Sequence, residues 1–267
     1  MGYPTIPVVM TLAGNDPTGG AGLQADIETI ASMGCQAAPV VTALTVQDTS
    51  NVMLVEPVSS NLVIEQARAV LEDMPVQSIK LGLLGSVENV EVIHTLLIDY
   101  PDIPVVLDPI LRAGGGTALA DEELQEAMIN LLFPLTTVLT PNSEEVRKLA
   151  HEGDTLDACA QELLSIGCEL VLVTGTHENT EKVDNILYGN RRRLETFSWG
   201  RLPHSYHGSG CTLSSAIAGL LAQGLEPFTA IHEAQEYTWE SLKHGYRAGM
   251  GQHLPNRLFW ARSDDEK

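Results

Sequence analysis

The chain has 267 residues, 44% of them hydrophobic and only 5% aromatic, with a formal net charge of −20. So acidic a chain repels nucleic acid and anionic membrane surfaces, so a small molecule is the expected partner. An anionic ligand would then need a local positive field from backbone amides or a metal.

The predicted elements alternate almost from end to end. IPVVMTLAG (6–14) predicts a strand, with no basic n-region of a signal peptide, and AGLQADIETIASMG (21–34) predicts a helix closed by Gly34. QAAPVVTALTVQ (36–47) reads as a strand, SSNLVIEQARAVLEDM (59–74) as a helix and SIKLGLLG (78–85) as a strand. A helix over 89–100, a strand over 103–111 and a helix over 121–135 follow. Next come a strand over 136–142, a helix over 143–152, and the segment 156–167 leading into CELVLVTGT (168–176). A less regular stretch around NRRRLETFSW precedes two helices, over 211–224 and 228–249. The alternation predicts an α/β fold with a mostly parallel central sheet and helices on both faces. No linker or repeat breaks it, so residues 1–267 are expected to form one domain, with the charged tail SDDEK frayed. The four cysteines, Cys35, Cys159, Cys168 and Cys211, form no CxxC pair, which predicts reduced thiols, no zinc and a cytoplasmic protein. No apolar run reaches membrane-spanning length.

Ligands of such sheets collect at the carboxyl ends of the strands, and four motifs fall there. AGNDPTGGAGLQAD (13–26) is a glycine-rich turn between strand and helix, matching neither a Walker A loop nor GxGxxG. It is either a ligand-approaching loop or a plain helix entry; Asp26, one turn into the helix, reaches the site or is an exposed carboxylate. Asp108 ends a buried strand, where it could hold Mg²⁺ through water or simply close a turn before Pro109. Asn142 and Glu145 have capping-box spacing, and the same geometry offers oxygens to a hard cation. HGSGCTLSSA (207–216) is the sharpest signal: Gly208, Ser209 and Gly210 can aim amides at one spot on a helix N-terminus, an anion hole for a transferring phosphoryl group. Cys211 at that terminus is expected to have a lowered pKa and to act as base or hydrogen-bond partner, the bland alternative being packing.

In their order on one chain these motifs resemble the ribokinase superfamily, and within it the hydroxymethylpyrimidine/phosphomethylpyrimidine kinase branch. Ala13–Asp26 is similar to its AGxDPSGGAGIQAD opening. TALTVQDT (42–49), KLGLLG (80–85), LDPIL (107–111), LTPNSEE (139–145) and HGSGCTLSSAIA (207–218) resemble its later motifs, and the likeness spans about residues 8–253. It implies a ribokinase-like fold and an ATP- and Mg²⁺-dependent kinase that phosphorylates 4-amino-5-hydroxymethyl-2-methylpyrimidine and its monophosphate, as a homodimer. It implies that Asp26, Gln47 and the backbone near Val46 bind the aminopyrimidine, within the loop carrying Gly14, Gly19 and Gly20, with Leu83 and Ile110 around the ring. Asn142, with Thr174 and His177, would face the nucleotide. Asp108 and Glu145 would organise Mg²⁺, Gly208–Gly210 would form the anion hole, and Cys211 would stand in for the aspartate base of sugar-kinase relatives.

Two departures stand out. TGTH (174–177) replaces the family's KGGH, leaving Arg112 or His177 to compensate for a charge-assisted contact of about 1.5–3 kcal/mol. Ser205 and Tyr206 interrupt the family's N-T-H before the glycines. A pyridoxal or pyridoxine kinase, and a catalytically silent pyrimidine-binding protein, are the alternatives at this point.

Overall fold

A computed structural model describes residues 6–261. The tail expected to fray lies outside the described residues.

The first strand, β1 (Val8–Asn15), is buried along almost its whole length, as a central parallel strand must be. It pairs with β2 (Gln36–Gln47) on one side and β4 (Val76–Leu81) on the other, parallel to both. From β4 the parallel run continues through β5 (Val105–Leu107), β6 (Val138–Leu139) and β7 (Leu170–Val173). Antiparallel strands close both edges: β3 (Val52–Pro57) against β2, then β8 (Lys182–Gly189) and β9 (Arg192–Gly200) beyond β7. The sheet order is β3-β2-β1-β4-β5-β6-β7-β8-β9. Because the chain leaves β1 for β2 on one side and reaches β4 on the other, a crevice opens at the carboxyl end of β1.

Strand alternation divides the core into two layers. Val9, Val106, Val138 and Leu172 point to the layer of α1 (Gly22–Ser32), α7 (Ser209–Ala222) and α8 (Pro227–Lys243). Met10, Leu12, Ile79, Leu81, Leu107 and Leu139 point to the other layer. That layer holds α2 (Ser60–Asp73), α3 (Val87–Asp99), α4 (Glu122–Ala127), α5 (Ser143–Leu149) and α6 (Leu156–Ile166). Helices therefore cover both faces, as the alternation predicts.

The structure differs from the sequence reading in element type at three places, and in extent where α8 ends at Lys243 instead of 249 and β5 keeps only Val105–Leu107 of 103–111. The helix expected over 121–135 is α only to Ala127; it widens to a π turn over Met128–Leu132 and tightens to a 3₁₀ turn over Phe133–Leu135. Pro134, which lacks the N–H an α ladder needs, sits in that last turn. The irregular stretch near NRRRLETFSW is the β8–β9 hairpin, and Asn190 and Arg191 turn it with φ of 50° and 56°. β3 was not anticipated at all. No helix among the described residues is long and apolar enough to cross a membrane.

Candidate active site

A cleft of about 560 Å³ lies along the carboxyl ends of the parallel strands. β1 delivers Gly14, Asn15 and Asp16; the end of β2 delivers Thr45 and Gln47. The turns after β4 and β5 bring Leu83, Asp108, Ile110 and Arg112, and those after β6 and β7 bring Asn142, Glu145, Thr174 and His177. Gly208–Cys211 close it from α7. The fold thus gathers every predicted site residue except Asp26, Val46, Gly19 and Gly20.

Three of those four need correction. Asp26 is fully buried beneath the cleft. Its carboxylate accepts Thr11 Oγ1 at 2.5 Å and Ser215 Oγ at 2.7 Å, and pairs with Lys80 Nζ at 2.9 Å. No oxygen is left to reach a ligand through the floor. Val46, expected to contribute backbone only, is 51% exposed and pairs with Leu54 of β3; the two-residue period turns Thr45 and Gln47 toward the cleft and the Val46 side chain away. Gly19 and Gly20 face the C-terminal segment, where the Arg257 guanidinium approaches both of their carbonyl oxygens.

Asp16, two residues beyond Gly14, organises the first loop. Its carboxylate accepts the amides of Thr18 and Ala21, each at 2.8 Å, and lies 2.7 Å from His207 Nε2. Burial works to raise its pKa, but the bonds from His207, Gln47 and Thr18 outweigh that and hold it well below the usual carboxylate range. One carboxylate thus ties the β1 loop to the turn that begins α7. Ile110 takes φ of 29°, rare for a β-branched residue, at the point where it lines the cleft.

Gly208 is the N-cap of α7, with φ of 84°, and no side chain caps the helix. The amides of its first turn are therefore left for a ligand, at the positive end of fourteen helical residues. Behind the turn, Arg257 donates to Thr212 Oγ1 at 2.9 Å and pairs with Glu28, its own side chain only 1% exposed.

The carboxylates opposite are unusual. Asp108 Oδ2 would lie 3.2 Å from a methyl group placed on Gly210, so it borders the anion hole. Glu145 closes the capping box, accepting the amides of Asn142 at 2.9 Å and Leu111 at 3.1 Å. Burial first, and then the proximity of Glu145, push the Asp108 pKa up; burial also raises that of Glu145. No cluster of three or more His, Cys, Asp or Glu side chains set to hold a metal occurs among the described residues.

The lowered pKa expected of Cys211 does not occur. Burial pushes its thiol up to about 11; Lys80 pulls it down, while Asp108 and Asp26 push it further up. The helix-end field is outweighed by desolvation and two carboxylates. At neutral pH Cys211 is a protonated thiol, able to donate one hydrogen bond. Iodoacetamide should accordingly label it roughly 100-fold more slowly at pH 7.5 than a free cysteine. The rate should climb about tenfold per pH unit until pH reaches about 11, when followed by peptide mass spectrometry. A rate that levels off below pH 8 would mean the thiolate is already formed there.

Several contributors were not anticipated. Lys80 lies inside a quoted motif, and a lone lysine in an apolar strand was a legible signal; Asp16 stands at the strand end where ligands collect, without a role expected of it. Arg201, Gln252 and Arg257 follow no local motif. Arg201 lines the cleft beside Thr174 and clasps the carbonyls of Thr176, Glu178 and Thr180 at 2.9–3.0 Å.

With that strand order and an open helix N-terminus at the crevice, the protein belongs to the small-molecule kinases of ribokinase-like fold. Known proteins narrow the class. The family described as phosphomethylpyrimidine kinase matches residues 16–256. A hydroxymethylpyrimidine/phosphomethylpyrimidine kinase of Streptomyces coelicolor is 35% identical over 92% of this chain and 93% of its own. The crystal structure of a phosphomethylpyrimidine kinase from Clostridium difficile 630 superposes with a TM-score of 0.77 at 32% identity, covering 89% of this chain and 100% of that one. The ADP complex of Bacillus subtilis pyridoxal kinase superposes with a TM-score of 0.88 at 26% identity, over 97% and 100%. The chain belongs to the phosphomethylpyrimidine kinase family.

Proposed function

We propose that this protein transfers the γ-phosphoryl group of ATP to the hydroxymethyl group of 4-amino-5-hydroxymethyl-2-methylpyrimidine, and then to the resulting monophosphate, in thiamine diphosphate biosynthesis. The observation that carries this reading is the order of groups along the cleft. Gln47 at the end of β2 and Leu83 after β4 lie toward one side of the strand order, with Ile110 after β5, and would hold the ring. The open α7 terminus and Cys211 lie in the middle, where the transferring group would sit. Asn142, Thr174, Thr176 and Arg201 lead on toward the donor.

Asp108 and Glu145 fit a hard cation. Two buried carboxylates whose proton affinity burial raises, and for Asp108 the proximity of Glu145 as well, would repel a triphosphate at the adjoining anion hole unless positive charge came between. As a pair and not a cage, they suit Mg²⁺, which keeps water and takes phosphate oxygens as its remaining ligands. When bound, Mg²⁺ would neutralise charge on the phosphates. The chain's own residues position: α7 amides hold the anion, Cys211 donates its S–H to an oxygen beside it, and Leu83 and Ile110 fix the ring. Phosphoryl transfer asks mainly for this placement and charge stabilisation. Arg201, together with Arg112, supplies the positive charge that Thr174 lacks.

The single nine-stranded sheet supports reading the chain as one domain. Exposed Leu44, Val46, Met53 and Leu54 on the β2–β3 edge support a homodimer, and four free cysteines support a reducing cytoplasm.

A coupled ADP-release assay on the pyrimidine, its monophosphate and pyridoxal tests the reading. The pyrimidine should give the highest kcat/KM. Cys211→Ala should lower kcat by about 10²-fold, the effect of deleting one well-placed donor, while leaving pyrimidine binding largely intact by calorimetry. A higher kcat/KM on pyridoxal would support the second reading, which the likeness to the Bacillus subtilis enzyme favours.

A further inference from the structure

Past the anion hole, on the side away from Gln47, a slot of about 140 Å³ opens between β8, β9 and α8. It shares Thr174, Thr176, Arg201, Ser209 and Gly210 with the cleft, so it is continuous with the phosphate region. Its walls are apolar: Val183, Trp199, Leu202, Trp239 and Leu242. The two indoles stand 6.3 Å apart at 30°.

The polar side chains in this slot are committed to one another. Asn185 accepts the Gly175 amide at 3.0 Å and donates to Gln235 Oε1 at 2.9 Å. Trp199 Nε1 donates to the same Oε1 at 3.2 Å, and Gln235 Nε2 donates to the Ile231 carbonyl at 3.1 Å. Trp239 Nε1 is bound to the Gly200 carbonyl at 2.9 Å, and Thr238 Oγ1 to that of Ala234 at 2.7 Å. The backbone follows suit: the Gly175 amide, the Gly200 carbonyl and the Thr176 carbonyl are each engaged. Polar side chains without a hydrogen-bond partner among the described residues, the hydroxyls of Thr174, Thr176, Tyr206 and Ser209 and the His204 imidazole, belong to the rim shared with the cleft.

Resting on the proposed function, we propose that this slot holds the base of the phosphoryl donor by contact and stacking without reading its edge. Any purine nucleoside triphosphate then serves as donor, GTP and ITP nearly as well as ATP. The physical reason is that a site rejects a close analogue strongly only when the exchange strands a buried donor or acceptor. Adenine and guanine differ solely in their edge groups. Here no side-chain amide or indole is held in waiting for an edge, so exchanging the two strands nothing. Pyrimidine triphosphates, with one ring fewer to stack, should trail.

The test is kcat/KM for ATP, GTP, ITP and CTP on the unmodified protein with hydroxymethylpyrimidine as acceptor. The phosphopyrimidine is measured by mass spectrometry, so that the readout is the same for every donor. The three purine donors should fall within about tenfold of one another, against the 10⁴–10⁵ reached by sites built to read hydrogen bonds. Trp239→Ala should raise KM for ATP and GTP by the same factor and leave their ratio unchanged. A purine preference beyond about tenfold, or a Trp239→Ala effect on one purine alone, overturns the inference and leaves the kinase assignment standing. Absence of turnover with every triphosphate overturns both.

Discussion

Gly208→Ala is expected to lower kcat by about 10²–10³-fold, the loss seen when an oxyanion-type donor set is disturbed. The residue holds φ at 84°, where a side chain is strained, and a methyl group would overlap the Gly20 carbonyl and sit 2.9 Å from Arg257 Nη2. None of these neighbours can yield cheaply. The Gly20 carbonyl is held by Arg257, and Arg257 is held by Thr212 and Glu28. The turn itself must therefore shift, and the open amides of α7 shift with it. Gly224→Ala provides the control. It has nearly the same φ, 86°, with nothing within 4 Å of the added methyl, at the far end of the same helix. Both variants should lose about 1–2 kcal/mol of stability to backbone strain, and Gly208→Ala more because of the overlap, seen as a lower Tm. Only the first should lose turnover. If Gly208→Ala keeps its kcat, the helix terminus is not where the phosphoryl group passes.

Lys80→Met should destabilise the protein by about 3–5 kcal/mol, the cost of leaving one buried charge without its partner. Lys80 and Asp26 are both fully buried, and the ammonium lies 2.9 and 3.1 Å from the two carboxylate oxygens. Burial alone would lower the lysine's pKa; the Asp26 carboxylate, which also accepts its hydrogen bonds, more than reverses this with Asp108 behind it, so the ammonium stays charged. Methionine nearly matches its length and keeps the packing, so the loss reads the charge. For a chain of this size the expected fall in Tm is about 10 °C. Adding Asp26→Asn should recover at least half of it, since the stranded charge is then gone. A single variant as stable as the parent would show that Asp26 is satisfied by Thr11 and Ser215 alone.

Much of this protein was legible because its signals are local. The limits of β2 match the predicted 36–47, where Gly34 ends one element and polar Gln47-Asp48 ends the next. The capping box at Asn142–Glu145 and the glycine turn at 208–210 lie where the spacing puts them. The π turn in the helix after Asp121 was missed, although Pro134 announced an interruption. The β2–β3 and β8–β9 hairpins were missed because edge strands exposed on a face carry mixed residues such as RRRLE, which follow neither period.

The sequence by itself determined the strand–helix alternation, the turns and the set of residues at strand ends, since each depends on neighbours within a few positions. Only the tertiary structure decided which of them meet the cleft and what charge they carry. Asp26 looked like a ligand until Lys80, Thr11 and Ser215, drawn from three other elements, took up its oxygens. Cys211 looked like a thiolate until folding put it under cover beside Asp108 and Asp26. Solvation and Coulomb energy depend on distance through space, and the distances that matter here join residues far apart along the chain.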